Sequence, residues 1–600
     1  MVLGVSGDRA SQPPVPASGG GPSGAATALG QALSISGTLA GWLAQRGFSD
    51  VEQTRRFLSP RLSELTPPHA MLDRDAAAAR IADAIRRRER IAVFGDYDCD
   101  GITATAVLTE LLRALGADVT PLVAERSGGG YGVSAAAVER IVATKATLVV
   151  TCDCGSSDHV SLAELKRRGL DAIVIDHHLV PDEPLPVLAF LNPQRPGCGF
   201  PFKSLASCGL ALSVGAAVRA ALGRVIDLKS VLDLVAIGSI ADVVPLAGDN
   251  RALVRAGLIE LAQARRPGLR ALFELAKIER GQSLTGEDVA FRIAPRLNAP
   301  GRLGSASVTL ELLLERNEAR ADALAGSVEQ KNAERRLRQD RMLEEARAEI
   351  REHRWDDAAA IVLGREGWEQ GVVGVVAGRL ADELARPVVV VGFEGGLGRG
   401  SVRGPRGSRL YDALDAVSAS LLRFGGHQAA AGLEVSFEKL GELREGFAAA
   451  VTAARAAGDT EASGSALLTT PLAAGDSLGQ VLGDFAMLEP CGEGNPCPEL
   501  ELEVTLVRAK EVRGGHLKLE LELASGERVG AFGAAMGARA GELSGALRVT
   551  GKLRPDRYRG GDAAEIKLSA ISSGCQGSGD QGSAGIPELR TDRLNSGVPD

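Results

Sequence analysis

Residues 91–101 read Ile91-Ala-Val-Phe-Gly-Asp96-Tyr-Asp98-Cys-Asp100-Gly101, an apolar run that ends in three carboxylates at alternate positions. Ile91 to Phe94 have the length and composition of a strand buried on both faces. The acids stand at its C-terminal end, the edge at which open α/β sheets bind ligands. Three carboxylates this close repel one another unless a cation or solvent separates them. Hard oxygen ligands of this kind suit Mg²⁺ or Mn²⁺. Taken alone, a loop of solvated acids is a slightly better reading of the stretch.

Three further stretches repeat the layout. Leu148-Val-Val-Thr-Cys-Asp153-Cys-Gly155 ends an apolar run in one acid, and Ala172-Ile-Val-Ile-Asp176-His177-His178 ends one in an acid and two histidines. Ala236-Ile-Gly-Ser-Ile-Ala-Asp242 places an acid after another apolar run. Singly, Asp153 reads equally well as a helix cap, and His177 and His178 as ordinary loop histidines. Jointly they are harder to dismiss, because parallel strands bring their C-terminal ends to one edge. Asp96, Asp98, Asp100, Asp153, His177 and Asp242 then converge on two divalent cations, a pattern in which one carboxylate is shared.

A chain of 600 residues implies several domains, and 45% apolar content implies large cores. The net charge of −8 does not advertise a nucleic-acid binder, although cations on a carboxylate-rich site would offset it. The eight cysteines show no zinc-finger spacing, so reduced thiols in a cytoplasmic protein are expected. Neither a signal-peptide pattern nor an apolar run of membrane length is seen.

The expected organisation is α/β. Residues 1–35, rich in Gly, Pro, Ser and Ala, form a disordered tail. In 36–326, helical patterns begin at Thr38 and Val51, and strand-like runs (Ile91–Phe94, Leu148–Thr151, Ala172–Ile175, Val187–Leu191) alternate with Ala/Leu-rich helices, as parallel βαβ units require. Residues 327–353 lack Gly and Pro and read as a connecting helix; 354–456 form a smaller α/β domain, and 457–480 a linker. Within 481–573, five short strands (Glu501–Val507, Leu517–Leu523, Arg528–Phe532, Leu547–Leu553, Ala564–Leu568) suit a small barrel such as an OB-fold. The tail 574–600 is expected to be disordered.

With these motifs in view, the chain resembles the DHH phosphoesterases and, within them, the RecJ family of single-strand exonucleases. Phe94-Gly-Asp-Tyr-Asp-Cys-Asp-Gly101, Thr151-Cys-Asp-Cys-Gly155, Asp176-His-His178, Ser239-Ile-Ala-Asp-Val-Val-Pro-Leu246 and Arg296-Leu-Asn-Ala-Pro-Gly-Arg302 resemble that family's five motifs, in order. Gly367-Trp-Glu-Gln-Gly-Val-Val-Gly-Val-Val-Ala-Gly-Arg379 and Phe424-Gly-Gly-His-Gln-Ala-Ala-Ala-Gly432 resemble its DHHA1 domain, and Pro490-Cys-Gly-Glu-Gly-Asn-Pro-Cys-Pro498 the motif before its OB domain. Two stretches depart from the pattern: Glu369 stands where histidine or asparagine is frequent, and Ser207-Cys208-Gly209 differs from the usual small-residue run.

The resemblance implies a DHH domain joined by a long helix to a DHHA1 domain and then an OB-fold. It implies a 5′→3′ exonuclease on single-stranded DNA that uses two cations, Mn²⁺ or Mg²⁺, releases nucleoside 5′-monophosphates, and serves recombination and repair. Asp153 would bridge the metals and Asp176 would orient His177, while His178 would contact the scissile phosphate or simply pack beside the ligands. Arg126, Tyr131, Arg296, Asn298 and Arg302 would meet the strand near the metals. Arg379, Ser401 and Arg403, the last two in a Gly-rich turn, would hold a 5′-terminal phosphate, and His427 would contact phosphate; the plain alternatives are a solvated basic loop and a tight turn. Arg554-Pro-Asp-Arg557-Tyr-Arg559 is a basic loop with one aromatic, as a single-strand binder or a solvated hairpin would have. A monomer, with a helicase and a single-strand-binding protein as partners, is the accompanying expectation. The competing functions are a phosphodiesterase for short or cyclic dinucleotides and a non-enzymatic DNA-binding scaffold.

Overall fold

The computed structural model describes residues 23–126, 131–405, 407–427, 430–456, 469–556 and 563–573. They fall into two compact units, one of residues 46–335 with 487–496, the other of 23–45, 336–486 and 497–573.

The first unit is built on five parallel strands, β1 (Arg90–Gly95), β2 (Asp118–Val123), β3 (Leu148–Cys152), β4 (Asp171–Ile175) and β5 (Ala189–Leu191), in the order β2-β1-β3-β4-β5. Alternate residues feed two cores. Ile91, Val93, Leu148, Val150, Ile173 and Ile175 enter one, and Ala92, Phe94, Val149, Ala172 and Val174 the other. Burial on both faces is why these strands read as unbroken apolar runs. The strand order reverses between β1 and β3, so the crevice beyond their C-terminal ends is the natural ligand site of this topology. Helices α1 (Cys99–Ala114), α2 (Ser207–Leu222) and α3 (Leu232–Ala241) pack around the first core, followed by α4 (Ala294–Leu303) and α5 (Glu318–His353).

Several expectations need correction. The apolar stretch before Asp242 is not a strand but α3, whose residues Leu232 to Ile240 are all buried. A helix buried all round has no polar stripe, so its sequence matches that of a buried strand. Strand β2 was not anticipated: Thr120 and Pro121 break its apolar run, and a proline is tolerated there because β2 lies at the sheet edge. The run Val187–Leu191 contributes only Ala189–Leu191 as strand. The connecting helix starts at Glu318 rather than 327. The N-terminal segment expected to be disordered carries a helix, Ser23–Leu33, with Leu29 fully buried.

In the second unit, β6 (Ile361–Glu366) and β7 (Val388–Glu394) are parallel and joined by α6 (Val373–Leu384). Strands β8 (Leu397–Arg403), β9 (Arg423–His427) and β10 (Ala430–Ser436) extend the sheet antiparallel, in the order β6-β7-β8-β10-β9. The last strands are β11 (Thr469–Pro471), β12 (Glu499–Val512), β13 (His516–Leu523), β14 (Arg528–Gly533), β15 (Ala546–Pro555) and β16 (Ala564–Ser573). Because β12 pairs with both β13 and β15, the five strands β12–β16 close into the expected OB-type barrel. Leu517, Leu519 and Leu521 of β13 point inward and alternate with polar residues. Residues 457–468 of the expected linker, Arg557, Tyr558 and Arg559, and the tail from 574 lie outside the described residues. Among the described residues no helix is long and apolar enough to cross a membrane.

Candidate metal centre

The site begins where β1 turns into α1. A Cβ on Gly95 would lie 2.4 Å from the Gly101 carbonyl oxygen, and one on Gly101 would lie 2.6 Å from the Asp96 nitrogen. Only glycine permits that approach, which sets Asp96, Asp98 and Asp100 around one tight strand-to-helix turn. Asp98 caps α1, its carboxylate accepting the Gly101 N–H at 3.0 Å. Asp100, 1% exposed, points to the N-terminus of α2, where it accepts the Ser207 N–H at 2.7 Å and the Cys208 N–H at 3.0 Å. Amides at a helix N-terminus favour a negative charge there. Asp96 is equally buried and accepts a long bond of 3.4 Å from the Gly132 N–H.

Asp153 follows β3 in a left-handed conformation, φ 64°, that aspartate tolerates better than most residues. Its Oδ1 accepts a hydrogen bond from the Ser207 hydroxyl at 2.9 Å. After β4 come Asp176, His177 and His178, and Asp242 caps the C-terminus of α3. His177 Nε2 lies 3.4 Å from Asp153 Oδ1 and 3.3 Å from Asp242 Oδ2. Two ligand sets result, Asp153–His177–His178 and Asp100–His177–Asp242, each with its donor atoms within 4.8 Å of one another. Among the described residues the buried His177 Nε2 has no hydrogen-bond partner. An orphaned imidazole nitrogen facing carboxylates fits a cation, and the oxygen-rich donor set suits Mn²⁺ or Mg²⁺.

The electrostatics agree. Burial, then the charges of neighbouring aspartates, push the carboxyls of Asp96, Asp153 and Asp242 upward, Asp242 to about 9. Burial also raises Asp100, against the pull of His177 and the Cys208 N–H. Burial lowers His177. Asp176 behaves differently. Burial opposes its ionisation, but the hydrogen bond and charge of His178 hold it down at about 2. The same bond, 2.8 Å from Asp176 Oδ1 to His178 Nδ1, outweighs desolvation and lifts His178 to about 9. Asp176 also accepts the N–H groups of His177 and Ser156 at 2.8 and 3.1 Å. The ring that Asp176 orients is therefore that of His178, a correction to the expectation for His177. Four thiols line the same edge. Cys99, Cys152, Cys154 and Cys208 are buried, and burial raises each of them.

The expected substrate residues divide. The Tyr131 hydroxyl donates to the Asp153 carbonyl at 3.1 Å and lies 3.0 Å from His178 Nδ1. Arg126 stacks over the Tyr97 ring, 4.2 Å from its centroid, and donates to the Gly301 carbonyl at 3.3 Å. Arg302 follows Gly301, where a Cβ would meet the Tyr97 carbonyl oxygen at 2.5 Å, so α4 ends beside the first acid turn. Asn298 is half-buried on α4. Arg296 is engaged elsewhere, in an ion pair of 2.6 Å with Glu329. In the second unit, Arg379 pairs loosely with Asp340 at 3.4 Å. Ser401 and Arg403 of β8 face the first turn of α6, where a Cβ on Gly374 would lie 3.2 Å from Ser401 Oγ and 3.3 Å from an Arg403 Nη. Burial lowers Arg403, and among the described residues no carboxylate pairs with it. His427 ends β9, and its side chain lies outside the described residues. Sequence reasoning missed Ser207. The one available signal was its departure from the usual small-residue run.

The DHH family, N-terminal domain, matches residues 90–239, and the DHHA1 domain matches 357–453. The single-stranded-DNA-specific exonuclease RecJ of Bacillus subtilis is 38% identical over 418 residues, which are 69% of this chain and 52% of that protein, so the chain spans about half the length of this relative. The RecJ of Dickeya dadantii is 34% identical over 507 residues, 80% of this chain and 85% of that protein. Among solved structures, Thermus thermophilus RecJ in complex with Mn²⁺ superposes with a TM-score of 0.75 at 32% identity, covering 94% of this chain and 79% of that one. The same protein in complex with Mg²⁺ superposes with a TM-score of 0.68. On the sequence identity, the coverage and the shared fold, the chain belongs to the RecJ family.

Proposed function

We propose that this chain is a single-stranded-DNA-specific exonuclease that hydrolyses phosphodiester bonds with two divalent cations, Mn²⁺ or Mg²⁺. It runs 5′→3′, releases nucleoside 5′-monophosphates and acts in recombination and repair. The observation that carries this reading is the convergence of the two ligand sets on the orphaned Nε2 of His177. When bound, the cations would neutralise charge on the reacting phosphate and acidify a water. His177 belongs to both sets and joins them; Asp153 and His178 would complete one, Asp100 and Asp242 the other, and Asp96 and Asp98 stand next to them. Asp176 fixes the ring of His178 through Nδ1, which leaves its other ring nitrogen to complete the ligand set or to contact the scissile phosphate. Tyr131, Arg126, Asn298 and Arg302 line the path of the strand, while Arg296 serves that path through α4 rather than by contact.

Ser401 and Arg403, with the amides at the start of α6 and Arg379 nearby on that helix, form the receptor for a 5′-terminal phosphate, with His427 as a further contact. The barrel supports a long substrate over a dinucleotide. In register across its strands stand Lys510, Lys518, Phe532, Lys567 and Lys552, one row on the outer face. Lysines flanking an aromatic suit a single strand, whose phosphates and bases they meet in turn. We place the protein in the cytoplasm as a monomer, working beside a helicase and a single-strand-binding protein. The test is digestion of end-labelled strands of both polarities, and of dinucleotides, with Mn²⁺ or Mg²⁺. Mononucleotides released first from 5′ ends of long strands support the proposal, and release from 3′ ends or a preference for dinucleotides overturns it.

A further inference from the structure

Asp242 stands on a strained piece of backbone. The residue after it, Val243, has φ 60°, a left-handed conformation that a β-branched side chain rarely adopts, and it is 62% exposed, so its own packing does not enforce that shape. Something else must hold the turn. On one side α3 does, through the Asp242 N–H to the Gly238 carbonyl at 2.9 Å. On the other side the buried Asn250 amide donates to the Pro245 carbonyl at 3.1 Å, and a further hold comes from a segment far along the chain that the proposed chemistry leaves unused, the motif Pro490-Cys-Gly-Glu-Gly-Asn-Pro-Cys-Pro498.

The Leu246 N–H donates to the Glu493 carbonyl at 2.8 Å. Gly492 and Gly494 press against the same dipeptide: a Cβ on Gly492 would lie 2.7 Å from a Leu246 methyl, and one on Gly494, φ 69°, would lie 3.2 Å from the Pro245 Cβ. Gly492 and Asn495 close a tight turn through reciprocal backbone bonds of 2.9 and 3.2 Å. Asn495 is fully buried and locks it. Its amide nitrogen donates to the Leu488 and Pro490 carbonyls at 2.8 and 2.7 Å, and its oxygen accepts from Arg46 at 3.1 Å. Arg251, also buried, donates to the Met487 and Leu488 carbonyls at 3.1 and 2.9 Å.

We propose that the turn Gly492–Asn495 is a positioning element for Asp242: by gripping Pro245 and Leu246 it keeps Val243 in its strained conformation and so aims the Asp242 carboxylate at His177. This rests on the reading of Asp242 as a metal ligand. Asn495 is the positioning residue of the device, and it touches neither substrate nor cation.

The test is Mn²⁺ binding to the full chain, followed by the electron paramagnetic resonance of free Mn²⁺, with thermal midpoints in chelator as a control for folding. Asn495→Ala should weaken Mn²⁺ binding by about tenfold or more, as loss of a group supporting a metal ligand usually does. Glycine adopts φ 60° without strain, so in a Val243→Gly background the same substitution should lose most of that effect while lowering the thermal midpoint as much as before. Equal losses of affinity in both backgrounds, or unchanged affinity in a folded Asn495→Ala protein, would overturn the proposal. If Asn495→Ala fails to fold, Gly494→Ala, whose new methyl presses on Pro245, is measured in the same two backgrounds with the same expectations. Asp242→Asn separates the two readings. If it binds Mn²⁺ as tightly as the parent, the ligand assignment fails and the positioning role with it; if it binds weakly while Asn495→Ala does not, the positioning role alone fails.

Discussion

The edge of the parallel sheet and the start of α6 bury charge in opposite ways. At the first, aspartates crowd together and burial raises their carboxyls. At the second, a half-buried arginine has no carboxylate partner among the described residues, and burial lowers it. A third place in the molecule shows what a completed arrangement looks like. Arg266 is more deeply buried than Arg403, yet it pairs with Asp233 and Glu110 at 2.7 Å each, and these carboxylates outweigh its desolvation. Buried charge whose opposite lies within the protein, or whose donors are all met by backbone carbonyls as those of Arg251 are, is architecture; buried charge with neither is open to a ligand of the missing sign. The proposed reading gives the first site cations and the second an anion, the two things a metal-dependent enzyme acting on phosphorylated ends must hold.

The sharpest way to break this contrast is to remove an acid. Asp153→Ala should cut hydrolysis by about a thousandfold or more, since several kcal/mol of transition-state stabilisation are lost. The protein should stay folded by circular dichroism, because a crowded, unfavourable carboxylate goes with it. Activity near that of the parent would end the two-cation scheme.

A smaller effect is expected at the anion side. Arg403→Ala should reduce discrimination between 5′-phosphorylated and 5′-hydroxyl strands by roughly 10–100-fold, the worth of one or two charge-assisted hydrogen bonds. Its Mn²⁺ affinity should not change. Competition kinetics with the two kinds of strand measure the first, and a binding isotherm the second. A fall in Mn²⁺ affinity with discrimination intact would dissolve the division of labour.

The smallest effect is a pH dependence, and it sharpens the comparison. The raised aspartates have folded pKa values above the roughly 3.9 of an exposed aspartate. Their contribution to the stability of the metal-free protein is therefore complete below about pH 4 and is lost as pH rises through the folded values, about 9 for Asp242. His178, lifted to about 9, acts in the same direction, its contribution disappearing as pH rises through that value. The gain in thermal midpoint on adding Mn²⁺ should thus grow between about pH 6 and pH 9. A constant gain would show that the acids are not in charge conflict.

The acids after β1, β3 and β4 were legible because strand and ligand are adjacent in sequence, so an apolar run and its terminal carboxylate announce each other. Asp242 was found for a partly wrong reason: its apolar run is a helix buried on every side, and periodicity does not separate that from a buried strand. Partner choice was less visible. Asp176 bonds His178 rather than the ring of His177, a matter of side-chain rotation that spacing does not encode. Ser207 meets Asp153 only because α2 begins opposite β3, a contact across 54 residues of chain. In the barrel, alternation gave the five strands; register, which sets Phe532 between Lys518 and Lys567, depends on pairings between strands.

The four thiols at the ligand edge give the protein a built-in reporter. Cys99, Cys152, Cys154 and Cys208 are sealed and held protonated by burial, whereas Cys198, Cys491 and Cys497 are partly exposed. An alkylating reagent should mark the second group at once and the first only when the sheet edge opens. Slow labelling of the sealed four, counted by mass, then clocks how often the catalytic floor comes apart, and how far a bound cation holds it shut.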